Sequence, residues 1–216
     1  MYLPKHFRAD ERETRELLDG IRVADLITAT AEGMFATFLP LVHDRGAGDF
    51  GALLGHVARK NDHWRLEPVG ESLVIAHGPD AYISPGFYES KREHGRVVPT
   101  WNYLTAHIHG DLVIHDDPVW LEQLVRRLTT RHEAERAQPW SVDDAPREYT
   151  EGQLRAIVGL ELRITRVEAK AKLGQNRSSA DIDGVIEGLG ERGDSELATA
   201  TSEGRRDRDR DPAPEH

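Results

Sequence analysis

Two stretches concentrate the residues able to do chemistry: residues 98–110, VPTWNYLTAHIHG, and residues 55–64, GHVARKNDHW. From Pro99 onward Trp101, Tyr103, Thr105, His107 and His109 point to one side of an extended strand, while Leu104, Ala106 and Ile108 point to the other. The second face can close a core. The first carries two aromatic rings and two imidazoles, a surface suited to a flat, polar-edged molecule or to another subunit. In the other stretch Arg59 offers a planar fork of donors, His56 and Asn61 offer neutral donors, and Lys60 adds a mobile charge. Two readings of that stretch are open, an anion-holding loop and a solvated basic turn. Residue types alone favour the turn, since Arg-Lys pairs are common on surfaces.

A third cluster lies at residues 172–177, KLGQNR, where Lys172, Gln175, Asn176 and Arg177 place four donors within six residues. That is more than a helix cap requires, yet a polar loop leading into a helix explains it equally well. His107 and His109, with His43, His56 or His63, lack an acidic residue at metal-ligand spacing, so no metal site is expected. There is no GxSxG elbow, and Ser84 followed by Pro85 is a turn signal, so no nucleophile declares itself.

The elements that must carry these clusters are mostly short strands. Leu17, Leu18 and Ile21 give a short amphipathic helix over residues 10–21. Residues 24–30 and 34–41 flank Ala31-Glu32-Gly33 as a hairpin. Residues 50–57 lead as a strand into the basic loop, residues 72–77 and 81–83 supply further strand, and the aromatic strand follows. Leu121, Leu124, Val125 and Leu128 mark a helix over 118–131, and a shorter one is expected near 148–157. Leu160, Leu162 and Ile164 alternate with Glu161, Arg163 and Thr165, a strand with one wet face. Ile182, Val185, Ile186 and Leu189 form a last helical stripe, begun by a capping-box-like Ser178 and Asp181. Many short strands with peripheral helices argue for a mainly β fold, an antiparallel barrel, and no GxGxxG fingerprint points to a dinucleotide fold.

The chain has 216 residues, 38% of them hydrophobic, enough for one sizeable domain and a tail. Residues 191–216 lack aromatics and alternate Arg with Asp, so they read as a disordered charged tail beyond a domain over 1–190. There are no cysteines and no apolar run of membrane-spanning length, which points to a cytoplasmic protein with no membrane partner. A formal net charge of −10 argues against a large nucleic-acid footprint, because DNA affinity comes mainly from Lys and Arg on phosphates.

MYLPKHF at the amino end, GHVARKNDHW, SPGFYESK, VPTWNY with its trailing HIHG, and KLGQNR followed by DGVIEGL occur in that order. Together they resemble the PaiB-like family of FMN-binding transcriptional regulators, negative regulators built on the FMN-binding split β-barrel, over residues 1–189. Phe87 stands where the family pattern has Trp, and Gly174 where it has Ser. The resemblance implies a split barrel of antiparallel strands, FMN as cofactor, and a homodimer holding the flavin at its seam. It turns the GHVARKN loop into the phosphate holder, through His56, Arg59, Lys60 and Asn61. SPGFYESK and PTWNY become the ring slot, with Tyr88, Trp101 and Tyr103 as flat walls and Ser84, Lys91, Thr100 and Asn102 as polar neighbours. Lys172, Gln175, Asn176 and Arg177 become contacts to the cofactor or to an anionic ligand. Two activities are compatible with such a protein: a regulator whose partner surface responds to flavin, with DNA a possible partner but direct binding doubted, and an FMN-dependent oxidoreductase using NAD(P)H or a small substrate. A haem-handling barrel with a histidine axial ligand is a weaker third.

Overall fold

The computed structural model describes residues 1–210. Six strands close a barrel in the order β1-β2-β3-β6-β5-β4. They are β1 (Val23–Thr30), β2 (Gly33–Asp44), β3 (Ala52–Ala58), β4 (Ser72–Ile83), β5 (Thr100–His115) and β6 (Ile157–Lys172). Closure comes from β4 returning antiparallel to β1, with Asp25 opposite Ile75, Leu26 opposite Val74 and Ile27 opposite Leu73. The expected split barrel with peripheral helices is therefore present, and residues 72–83 form one strand where two pieces are expected. The helices are α1 (Glu11–Gly20), α2 (Ser90–Glu93), α3 (Pro118–Glu133), α4 (Arg147–Leu154), α5 (Ser179–Arg192) and α6 (Ser195–Arg210).

The residues expected to form one domain divide into two compact units. One comprises residues 14–76 and 106–167. Its hairpin is in register from Val23 opposite Pro40 to Thr30 opposite Gly33, and Thr30 Oγ1 donates to Gly33 O at 2.9 Å to close the turn. Opposed residues share a face. Ala24, Leu26, Thr28 and Leu39 are buried on the inner side, while Val23, Met34, Phe38 and Pro40 are exposed on the outer. Asp117 caps α3 by accepting from Trp120 N at 2.8 Å, and the helix buries Leu124 and Leu128 with Val42, Ala52 and Leu54. Glu161, expected on a wet face, is buried. Its carboxylate pairs with His115 Nε2 at 2.6 Å and accepts from Arg163 Nε at 3.1 Å, and the His115 ring stacks on Trp120 at 4.0 Å.

The other unit comprises residues 1–13, 77–105 and 168–216. Its core gathers Ala81, Ile83 and Tyr88 with Ala171, Leu173, Val185, Leu189 and Leu197. The segment expected to be disordered from residue 191 is helical through α6 among the described residues, because Leu197 is only 1% exposed and Thr201 is buried one turn on. Residues 211–216 of that expected tail lie outside the described residues. Ser178 caps α5 by accepting from Asp181 N at 3.2 Å. The reciprocal half of a capping box is not made. Asp181 turns away and accepts from Ser90 N at 2.9 Å and Ser90 Oγ at 2.8 Å. α5 also explains its glycines. A Cβ on Gly184 would lie 2.0 Å from Phe87 O, and one on Gly188 would lie 2.3 Å from the Phe87 ring, so these two positions form the notch that seats Phe87.

Candidate functional site

In the unit containing residues 14–76, β3 delivers the GHVARKN loop. His56 lies opposite Gly159 on β6, and its Nδ1 is the buried side-chain polar atom that has no hydrogen-bond partner among the described residues. Burial holds the His56 pKa below the ordinary imidazole value, so the ring is neutral and one nitrogen is free for a ligand. Arg59 is placed differently from the expected phosphate fork. Its Nε donates to Arg155 O at 2.8 Å, Nη2 donates to Ile157 O at 3.0 Å, and both terminal nitrogens bind Asp116, Nη1 at 2.9 Å. That hydrogen-bonded ion pair holds the Asp116 pKa below the usual carboxylate range. A phosphate would have to compete with Asp116 for this guanidinium. Lys60 is exposed at the turn.

Asn61 serves the loop itself. Its Oδ1 accepts from His63 N at 2.9 Å and its Nδ2 donates to Thr37 Oγ1 at 3.4 Å. His63 continues inward, with Nδ1 2.8 Å from Thr37 Oγ1, Nε2 2.8 Å from Thr28 Oγ1, and Thr28 Oγ1 2.8 Å from Ser72 Oγ. This buried chain of polar groups ties the loop to β1, β2 and β4. The sequence offers His63 only as one of several imidazoles, and nothing in its spacing distinguishes a buried hydroxyl-linked histidine from an exposed one. No group of metal-ligating side chains occurs among the described residues.

In the unit containing residues 77–105, Thr100, Trp101, Tyr103 and Lys172 come together. Lys172 Nζ donates to Thr100 Oγ1 at 2.6 Å and to Trp101 O at 2.8 Å, and lies 5.8 Å from the Tyr103 ring centroid. Desolvation lowers the Lys172 pKa, and neighbouring Lys170 lowers it further while Tyr103 opposes the shift. Trp101 is 54% exposed and meets the Tyr82 ring edge-on at 6.3 Å, so these two rings present an aromatic surface in the same unit. Neither Tyr82 nor Lys170 is among the residues expected from sequence. Alternation along AKAK in β6 is the signal that pairs Lys170 with Lys172.

The remaining expected contacts are spread through the same unit. Tyr88 is part of the core, with the Arg177 guanidinium 4.7 Å from its ring centroid, and is a wall of the interior. Ser84 accepts from Gly86 N at 3.1 Å and caps the short turn at Pro85–Phe87. Gln175 closes a turn, donating to Ala171 O at 2.6 Å and accepting from Leu173 N at 2.9 Å. Asn102 is 2% exposed, on the strand face opposite Trp101 and Tyr103. Lys91 and Asn176 are exposed.

A flavin mononucleotide asks for cations around a dianionic phosphate, flat surfaces for its ring, and hydrogen-bonding groups for the ring edge. The residues present fit that request. Within the unit containing residues 77–105, Lys172 supplies charge beside the Tyr103 ring, and Trp101 and Tyr82 add flat surfaces. In the unit containing residues 14–76, the partnerless Nδ1 of His56 is by itself a group able to meet a hydrogen-bond donor.

Comparison with known proteins agrees. A family profile described as an FMN-binding domain matches residues 1–166. The chain is 32% identical to Protease synthase and sporulation protein PAI 2 of Bacillus subtilis, covering 88% of this chain and 89% of that one. Among solved structures, the flavocytochrome Anf3 from Azotobacter vinelandii superposes with a TM-score of 0.55 at 13% identity, over 82% of this chain and 74% of that one. A FAD and heme binding protein from Mycobacterium smegmatis does so with a TM-score of 0.51 at 17% identity, over 81% and 77%. These structural likenesses speak for the barrel fold, and the matches in sequence speak for the family. The chain belongs to the PaiB-like family of FMN-binding split-barrel proteins, with FMN as its cofactor.

Proposed function

We propose that this protein is a flavin-responsive negative regulator of transcription that acts as a homodimer. The observation that carries the reading is the similarity to the PAI 2 protein over nearly the full length of both chains. Bound FMN supplies hydride and single-electron transfer chemistry. The chain's own contribution is to hold it: Lys172 with a charge, Trp101 and Tyr103 with flat surfaces.

The outer side of the β1–β2 hairpin supports the homodimer. Val23 opposes Pro40, Asp25 opposes Phe38, Ile27 opposes Ala36 and Ala29 opposes Met34, so this strand pair turns a mostly apolar face outward, interrupted by Asp25, with Met34 74% and Phe38 67% exposed. A soluble chain seldom leaves such a face uncovered, and a second copy is the occupant we assign. A cytoplasmic location accords with the absence, among the described residues, of any helix long and apolar enough to cross a membrane. The net charge of −10 leaves little counterion release for operator binding, so regulation is assigned to a partner or ligand in place of direct tight DNA contact.

Transcript profiling of a strain lacking the gene tests the regulatory reading. A restricted set of transcripts should rise and return on complementation, and an unchanged profile would remove it. The purified protein decides against the competing oxidoreductase if NADH and NADPH leave its flavin spectrum unbleached over many minutes. Sedimentation should give a dimer that Phe38→Lys converts to monomer.

A further inference from the structure

Lys170 and Lys172 stand two residues apart near the end of β6, on one face of the strand. Their ammonium groups lie 5.4 Å and 5.8 Å from the centroid of the same Tyr103 ring. Lys170 is buried, and its Nζ donates to Tyr2 O at 3.2 Å. Lys172 donates to Thr100 Oγ1 and Trp101 O. Every one of these acceptors is neutral. Among the described residues neither lysine forms an ion pair, and Glu168 on the same strand accepts from the Met1 amino group. Each ammonium has three donors, so both retain N–H groups beyond these contacts.

Two like charges drawn partly out of water without a carboxylate between them are costly. A fold needing only the aliphatic stems would be served by Leu or Met at these places. The arrangement is relieved by a dianion that accepts from both ammonium groups, with Thr100 Oγ1 at its edge. We infer that Lys170, Lys172 and Thr100, beside Tyr103, form a binding site for a phosphomonoester dianion. The inference deepens the flavin reading and rests on it in one respect: the 5′-phosphate of FMN is one source of that group, and a separate phosphorylated ligand is the other. It also gives a phosphate a site that does not require Arg59 to leave Asp116. Lys170 lies beyond the stretch matched by the family profile, which ends at residue 166.

The test compares FMN with riboflavin, which lacks the phosphate, by titrating the apoprotein and following flavin fluorescence, and adds calorimetry with inorganic phosphate. The proteins are wild type, Lys170→Gln, Lys172→Gln and the charge-retaining Lys172→Arg. Each Gln variant should lose about tenfold or more in FMN affinity while riboflavin is unchanged, and Lys172→Arg should recover most of the loss. If the FMN to riboflavin ratio holds but wild-type phosphate binding is lost in the Gln variants, the site takes a separate phosphorylated ligand. If the variants move neither the ratio nor phosphate binding, the inference is overturned. Wild type that binds neither flavin defeats the flavin reading alone, because the phosphate arm still reports on the lysines. Circular dichroism of each variant, and the unchanged riboflavin affinity itself, separate loss of the site from loss of the fold.

Discussion

Asp181, in the first turn of α5, accepts from both the backbone N–H and the hydroxyl of Ser90, at 2.9 and 2.8 Å. A single buried carboxylate thereby fastens the SPGFYESK loop to the helix. Burial raises its pKa, but the Ser90 bonds and nearby Arg177 outweigh that and leave it below the usual carboxylate value. A depressed folded-state pKa means stabilisation that is complete above the unfolded value near 3.9 and lost as pH falls through the folded one. Asp181→Ala should cost about 1.5–3 kcal/mol at neutral pH. Urea denaturation at neutral pH and again in the acid range checks both halves: the difference between wild type and variant should shrink in acid.

The Phe87 notch makes an opposed pair of expectations on one helix. Gly188→Ala forces a Cβ into the Phe87 ring and should destabilise by about 1–3 kcal/mol. At Gly190 a Cβ meets nothing within 4 Å, so Gly190→Ala should stabilise by up to about 1 kcal/mol through helix propensity. Thermal melts of the two variants decide it. Equal shifts would mean that Phe87 does not occupy the notch in solution.

His63 should make stability depend on pH near neutrality. Burial lowers its pKa from 6.5, so the unfolded chain binds the proton more readily than the folded one. Stability from this residue is therefore complete above pH 6.5 and falls as pH drops below it. His56 is shifted the same way by the same cause. His63→Gln should flatten the fall in urea midpoint between about pH 7.5 and 5.5 without abolishing it, since His56 remains. An unchanged slope would place the titration elsewhere.

Arg59 gives an expectation opposite in sense to the one its sequence context suggests. With its guanidinium already held by Asp116, Arg155 O and Ile157 O, Arg59→Ala should change FMN affinity by less than about twofold. Titration with FMN checks this. A loss of an order of magnitude would show that the phosphate displaces Asp116.

The barrel was legible because its strands obey simple rules: a short turn between alternating runs, an aromatic strand with one apolar face, and helices with stripes at helical spacing. α3 and α5 were found for that reason, α5 with Ser178 at its start. The segments of the candidate site stand out in the sequence, while the partners that their side chains find within the fold do not. Arg59, Gln175 and Tyr88 look like ligand contacts in sequence, yet their partners are Asp116, the backbone at Ala171 and Leu173, and the core, all set by residues distant in the chain or by a turn. Lys170 was overlooked because the strand continues past Thr165 to Lys172, which turns an apparent loop into a surface with an alternating face. α6 was missed because one leucine among many charges gives little periodic signal, although burial of Leu197 is enough to dock it.

The core of the unit that includes residues 77–105 and 168–210 is stitched from two separate stretches of the sequence. Ala81, Ile83 and Tyr88 find their cover in Ala171, Leu173, Val185, Leu189 and Leu197. While the similarity to the PAI 2 protein covers 88% of the chain, the family profile stops at residue 166. A fragment cut there would keep the inherited signature and strand half of an interior in water. The boundary of the family profile is thus not an autonomous folding limit, and the carboxyl-terminal helices belong to the unit whose core they close.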